Sequence, residues 1–377
     1  MSKNKILIVG AFPPPERKVF GGIVTSCQSL LDSSFARQFE LILVDSTQIS
    51  NPPPGVALRG LLALRRFLIF LQKLIFEKPQ AVILFTAVGA SVLEKGVMAW
   101  ISRVLRIPVF FFPRGAGLIT TVADSNLHRL WVSASLKGAT HFLCQGPAWQ
   151  RFATEVLAFP LDRAPIIPNW TATNRLLAIG KERVSTSAAH IPQLLFLGWL
   201  EHEKGIFELL DACQILSPLY PFRLVIAGRG HAEPEARTLV EGSNLAGVVE
   251  FAGWVQGEAL DALFSASDIL ILPSWAEGLP NAMIEAMAAK LAVVVSAVGN
   301  VPDLIADGHQ AMLVPPKDVQ PLRQAIERLL VDKAFREELA ERGHTFAQDN
   351  FAVEPAIAKL AAVIEAAIEE NSRSRKK

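Results

Sequence analysis

Residues 265–290 read SASDILILPSWAEGLPNAMIEAMAAK, and the order of residue types in this stretch sets the fold around it. Asp268 to Leu272 is a short apolar run of the kind that forms a strand buried on both faces, as in parallel sheets. A turn-rich loop follows, and a helix is expected to open near Asn281, whose side chain can cap unpaired N–H groups. Loops at the carboxyl ends of parallel strands, facing a helix N-terminus, are where open α/β sheets bind phosphorylated ligands. Glu277 sits in that loop and Glu285 one turn into the helix, with seven residues between them. An ionised carboxylate accepts two hydroxyl donors at once, so such a pair can hold vicinal diols of a sugar and a ribose. Taken alone, the spacing also fits a loop charge and a solvated helix glutamate, the ordinary state of such residues.

The alternation of buried strand and amphipathic helix extends in both directions. KILIVG, FELILVD, AVILFT and IPVFFFP lie in the first half, and QLLFLG, FRLVIAG, VVEFAG, DILILP and AVVVS in the second. Two parallel α/β sheets follow from this pattern. A chain of 377 residues at roughly 150 per domain also makes two domains the natural expectation. With 51% hydrophobic and 19% charged residues it can fill two cores, which excludes disorder over most of its length. The polar stretch GKERVSTSAAHIPQ, residues 180–193, shows no hydrophobic period and marks the linker. The expected division is therefore 1–185, 186–350, and a C-terminal helix with a fraying basic tail over 351–377, packed back toward the N-terminal domain.

Thirty-seven Lys and Arg against 36 Asp and Glu leave a formal charge of +1, so no global field favours nucleic acid. Cys27, Cys144 and Cys213 are far apart and suit a reducing compartment, which makes the cytoplasm the expected location. The opening MSKNKILIVGAF has too short an apolar run for a signal-peptide core. The segment 58–78, LRGLLALRRFLIFLQKLIFEK, is too interrupted by Arg59, Arg65, Arg66 and Lys73 to span a bilayer. It can instead lie on an anionic membrane surface, at the inner face of the plasma membrane, or pack on the core with a solvated basic rim.

Context sharpens the reading of the two glutamates. FLGWLEHEKGIFELLDA from Phe196 is a strand, a turn carrying Lys204 beside Gly205, and a helix; FRLVIAGRGHAEPEARTL follows, with Gly228 and Gly230 after its strand. Then come VVEFAGWV, the two-glutamate segment, AVVVSAVGNVPDLI and DGHQAMLVPPKD. This succession resembles the carboxyl half of glycosyltransferase family 4, the retaining enzymes of GT-B fold. The resemblance implies two Rossmann-like domains whose parallel sheets face a central cleft. It implies a nucleotide-sugar donor, UDP- or GDP-linked, as substrate rather than cofactor, and a saccharide or lipid-linked acceptor in surface polysaccharide or oligosaccharide assembly. By motif position Lys204 and Glu277 would be catalytic, on the diphosphate and on the hydroxyls of the transferred sugar, and Glu285 would hold the ribose. Gly278, Leu279 and Asn281 of the loop, Gly228 and Gly230, and Trp199 would line the donor site. Gly21 and Gly22, after the first strand, would lie by the donor phosphates and acceptor; alone, a glycine pair is an ordinary turn.

The sequence departs from the pattern in places. Trp199 stands where an arginine is common, so a second cation on the diphosphate must come from Arg229 or Arg114, or be dispensed with. Arg114, in FFPRGAGL, stands near the usual place of a histidine and is expected to be catalytic with Lys204 and Glu277, clamping an anion although it cannot serve as a base; pairing with a carboxylate at a domain edge is its bland alternative. Lys290 and Ala311 replace expected glycines. No H-E-x-x-H or D-x-D pattern occurs, so no metal site is expected. The rival readings are a nucleotide-sugar-binding subunit without catalysis and a GT-B sugar-nucleotide epimerase or hydrolase.

Overall fold

The computed structural model describes residues 3–13, 21–47, 54–86, 89–115, 118–119, 122, 126–184 and 190–376. The chain divides into two units, Met1–Trp170 with Val353–Lys377, and Thr171–Ala352. The division thus falls at 170/171, ahead of the 185/186 boundary expected from composition. The reason is packing: Leu176 and Leu177, on a helix before the polar stretch, join the core of the second unit beside Met283 and Ile284. The stretch that marked the linker includes residues 185–189, which lie outside the described residues.

The first unit runs β1 (Lys5–Gly10), α1 (Gly22–Asp32), α2 (Ser34–Gln38), β2 (Glu40–Asp45), α3 (Val56–Phe76), β3 (Ala81–Thr86), α4 (Ala90–Val104), β4 (Val109–Pro113), α5 (Asn126–Leu136), β5 (His141–Phe142) and α6 (Pro147–Arg151). Its five-stranded sheet is parallel, in the order β2-β1-β3-β4-β5. Every residue of β3 and β4 is buried, as their unbroken apolar sequences require. Alternation then sorts the two faces. Leu7, Val9, Val82, Leu84 and Phe111 pack with Phe70, Leu74 and Met98 of α3 and α4. Ile6, Ile8, Ile83 and Phe112 pack with Leu30 and Phe35 and with Ile357, Leu360 and Ile364 of the C-terminal helix. That helix, Val353–Lys376, therefore belongs to the first unit.

The second unit continues with α7 (Asn174–Glu182), β6 (Gln193–Leu197), α8 (Ile206–Leu216), β7 (Arg223–Ala227), α9 (Glu233–Glu241), β8 (Val249–Gly253), α10 (Glu258–Ala266), β9 (Ile269–Leu272), α11 (Asn281–Ala288), β10 (Ala292–Ser296), α12 (Val301–Leu304), β11 (Met312–Val314), α13 (Val319–Val331) and α14 (Lys333–Phe351). Its six strands are parallel, in the order β11-β10-β9-β6-β7-β8. The strand order reverses between β9 and β6, so the loops that leave these two neighbours diverge around a crevice at their carboxyl ends. The chain is thus α/β, with two parallel sheets each covered by helices, as the GT-B reading requires. Among the described residues no helix is long and apolar enough to cross a membrane.

Candidate active site

The site in the second unit is assembled by backbone approach at that strand reversal. Gly205 follows the short turn His202–Lys204 with φ +72°, and a Cβ there would stand 2.1 Å from the Pro273 carbonyl oxygen. Only glycine lets the turn after β6 lie against the end of β9. Trp275 N–H donates to the Glu203 carbonyl at 2.8 Å and its indole Nε1 to Glu208 at 2.8 Å, which fastens the two loops together. The result is an ion pair: Lys204 Nζ lies 2.5 Å from Glu277 Oε1. Both side chains remain partly open, 27% and 19% exposed.

A second glycine holds the other side of the loop. Gly299 has φ +62°, and a Cβ on it would come within 2.0 Å of the Glu277 carbonyl oxygen. Asn300 then donates from its backbone N–H and its Nδ2 to the Gly278 carbonyl, at 2.8 and 3.2 Å. Leu279 is buried in the core with Met283 and Ile284, anchoring the loop from below. Helix α11 begins at Asn281 with Pro280 as its N-cap and no side-chain cap. Asn281 is therefore the first helical residue and not the N-cap, one position later than the sequence suggests. The amide groups that open the helix are directed toward the loop end, where an anion is favoured.

Glu285 lies on α11, and burial pushes its carboxyl up to about 7, an effect that Arg175 of α7 opposes. Trp199 follows β6 and packs against Trp254, just past β8, with ring centroids 5.0 Å apart and planes tilted by 45°, so an aromatic contact stands where a cation was expected. Gly228 and Gly230 serve the same crowding: Cβ atoms there would meet the Gly198 and Leu200 carbonyl oxygens at 1.8 and 2.1 Å. Arg229, between them, is exposed.

In the first unit Gly21 (φ +145°) and Gly22 begin α1, beyond the carboxyl end of β1. The proline-rich approach at 14–20 lies outside the described residues. Arg114 extends from the end of β4; its Nη1 donates to Asn169 at 2.8 Å, its Nη2 to Ser26 Oγ, and its guanidinium lies over Phe112 and Trp170. Ser26 Oγ in turn donates to the Gly22 carbonyl at 2.8 Å. Arg114 thus steadies the glycine-led helix from within. Burial holds its pKa down to about 10, so it stays a cation.

Comparison with known proteins identifies the second unit. Residues 181–346 match the family model of glycosyl transferases group 1. The match lies within the second unit. The chain is 33% identical over 144 residues to an uncharacterized glycosyltransferase of Methanocaldococcus jannaschii, covering 38% of this chain and 37% of the relative. It is 30% identical over 179 residues to the lipopolysaccharide core biosynthesis glycosyltransferase LpsE of Rhizobium meliloti, covering 48% and 51%. These matches span about half or less of the relatives' own length. Among solved structures, sucrose-phosphate synthase from Thermosynechococcus elongatus aligns with TM-score 0.76 at 20% identity, over 97% of this chain and 99% of that one. Anabaena HepE, in complex with UDP-glucose, aligns with TM-score 0.69 at 16% identity, over 96% and 99%. Likeness at this identity establishes the fold.

Within the matched region the sequence points to Lys204, Glu277 and the loop from Gly278, and the structure brings them together. The sequence reading passes over Gly299, Asn300, Trp275 and Arg175. A Gly-Asn pair after a buried strand was the signal available for the first two, since glycine there answers a positive φ. Nothing local announces Trp275 or Arg175, whose partners are 67 residues away for Trp275 and on another helix for Arg175. Among the described residues no group of three His, Cys, Asp or Glu side chains is placed to hold a metal ion.

Proposed function

We propose that the protein is a glycosyltransferase that moves a sugar, with retention of anomeric configuration, from a UDP- or GDP-linked donor to a saccharide or lipid-linked acceptor in polysaccharide or oligosaccharide assembly. The observation that carries this reading is the Lys204–Glu277 pair at the strand reversal of a group 1 glycosyl transferase unit. The Lys204 ammonium and the N-terminal amides of α11 oppose the charge that grows on the departing diphosphate. Glu277 accepts hydroxyl donors of the transferred sugar and Glu285 those of the ribose. The acceptor hydroxyl attacks the anomeric carbon from the face the diphosphate leaves, and the departing phosphate oxygen takes its proton.

Relatives named for lipopolysaccharide core and teichuronic acid biosynthesis, and a structural neighbour captured with UDP-glucose, support this substrate class. The decisive experiment is calorimetry with a donor panel, followed by product analysis with saccharide and lipid-linked acceptors and NMR assignment of the new anomeric bond. A retained configuration is expected; an inverted product would overturn the mechanism. Donor binding without turnover on every acceptor would favour the binding subunit. The cationic role falls to Lys204 and backbone amides, so turnover is expected to survive EDTA; its loss, restored by a divalent cation, would refute metal independence.

The same reading places the protein in the cytoplasm, against the inner face of the membrane. Helix α3 turns Phe67, Phe70, Leu71 and Leu74 to the core yet leaves Leu61, Leu64 and Leu68 exposed beside Arg65. One face packs on the core, and the exposed apolar, basic face supports the membrane-surface reading of the segment 58–78. Flotation with anionic liposomes at low salt tests it, and a protein left behind in the soluble fraction would end it.

A further inference from the structure

The first unit contains a cavity of about 560 Å³ at the amino ends of β4 and β5, the opposite end of the strands from Gly21 and Arg114. Its size is that of a small-ligand site. Four cationic side chains line it, Arg103, Arg106, Lys137 and Arg163, against one carboxylate, Glu370. Glu370 is already engaged, 2.5 Å from Arg163 Nη2. Among the described residues no carboxylate pairs with Arg103, Arg106 or Lys137. His141 faces Arg163 at 3.1 Å, and burial, reinforced by that arginine, holds the imidazole neutral with its pKa down at about 4. It therefore orients the guanidinium without adding or cancelling charge. Arg375 of the C-terminal helix donates to the Leu105 and Arg106 carbonyls and brings a further cation to the rim.

The backbone and the surroundings point the same way. Arg106 (φ +55°) and Ala158 (φ +58°) both line the cavity in the left-handed conformation that glycine adopts more readily. A cation is thus kept where a glycine would sit with less strain. Beside the lining residues stand Val104, 77% exposed, and Leu161, 66% exposed. Leu93, Val97, Trp100 and Val104 follow one another at helical spacing as an exposed apolar row along α4, ending at the cavity.

We propose that this cavity is a headgroup site for an anionic phospholipid, its phosphate held by Arg103, Arg106 and Lys137 while the lipid chains lie along the α4 row. The proposal rests on the membrane-surface reading above. Solvated cations alone would suit any anion. The apolar row running into the cavity is what selects a lipid over a soluble phosphate ester.

The test compares wild type with Arg106→Gly, Lys137→Gln protein in flotation with vesicles of phosphatidylcholine alone and of phosphatidylcholine with phosphatidylglycerol. Binding to the mixed vesicles is expected to fall by about fivefold for each cation removed. Nucleotide diphosphate affinity and unfolding temperature should be unchanged or, for the glycine, slightly raised. Undiminished binding by the variant would overturn the headgroup site while leaving the membrane reading intact. Wild-type protein that ignores both vesicles would remove both. A melting shift from soluble glycerol phosphate equal to that from mixed vesicles would make the cavity a soluble-anion site and overturn the lipid assignment.

Discussion

The Lys204 ammonium lies 2.5 Å from the Glu277 carboxylate, so two groups expected to meet different parts of one donor are each other's partner. The ion pair holds both groups at the crevice, and neither is left uncompensated while the crevice is partly shielded from water. Donor binding then supplies each with a second partner. Removal of either should lower turnover by about 10²–10³-fold. The double variant Lys204→Ala, Glu277→Ala should lose much less than the product of the two single losses, because either change already breaks the pair. Steady-state kinetics of the three variants check this; strictly multiplicative losses would show that the two groups act independently.

Glu285 makes stability depend on pH. Its carboxyl titrates at about 7 in the folded chain against 4.5 ordinarily, so between these values the folded state keeps a proton that the unfolded state releases. Its contribution is complete below pH 4.5 and is lost as pH rises through 7. The loss is at most about 3 kcal/mol. Urea unfolding of Glu285→Gln should therefore show a shallower decline between pH 5 and 8 than wild type, together with weaker donor binding. Parallel pH profiles would contradict the assignment.

Gly299 has no room for a side chain, as its φ of +62° and the nearness of the Glu277 carbonyl require. Gly299→Ala should destabilise the second unit by about 2 kcal/mol or more, through strain and displacement of the loop. Nucleotide affinity should fall with it. Thermal unfolding with and without UDP measures both, and an alanine variant with wild-type values would mean that the loop moves aside without cost.

Lys290 ends α11 in the left-handed conformation, φ +60°, at a position where glycine was expected. Its side chain pairs with Glu341, which is 56% exposed, so the ion pair returns little. Lys290→Gly should stabilise the second unit by about 0.5–1 kcal/mol. A lowered urea midpoint would show that the surface pair outweighs the backbone strain.

Much of this was legible in the sequence for identifiable reasons. Strands such as AVILFT and VFFFP are buried on both faces, and continuous apolar runs leave few alternatives to a parallel sheet. Lys204, Glu277 and Glu285 stood out because each sits at a short, fixed distance from a strand end or helix start. The linker was misplaced because composition reports polarity, whereas the division depends on where Leu176 and Leu177 bury. Trp199, which stands where an arginine is common, packs on Trp254, 55 positions further along the chain and just past β8, two strands after β6, a contact that no local pattern announces.

By itself the sequence determined the period of the elements, hence two parallel α/β sheets, and the chemistry that their loops can offer. It could do so because period and side-chain type are local properties of the chain. Only the tertiary structure decided that Lys204 faces Glu277, that Gly299 and Asn300 clamp the loop between them and α11, and that four cations converge on one cavity at the far end of the first sheet. Those relationships depend on strand order and on backbone approach between distant segments. No local propensity encodes them, since each partner's identity is compatible with many neighbours until the sheet brings one of them near.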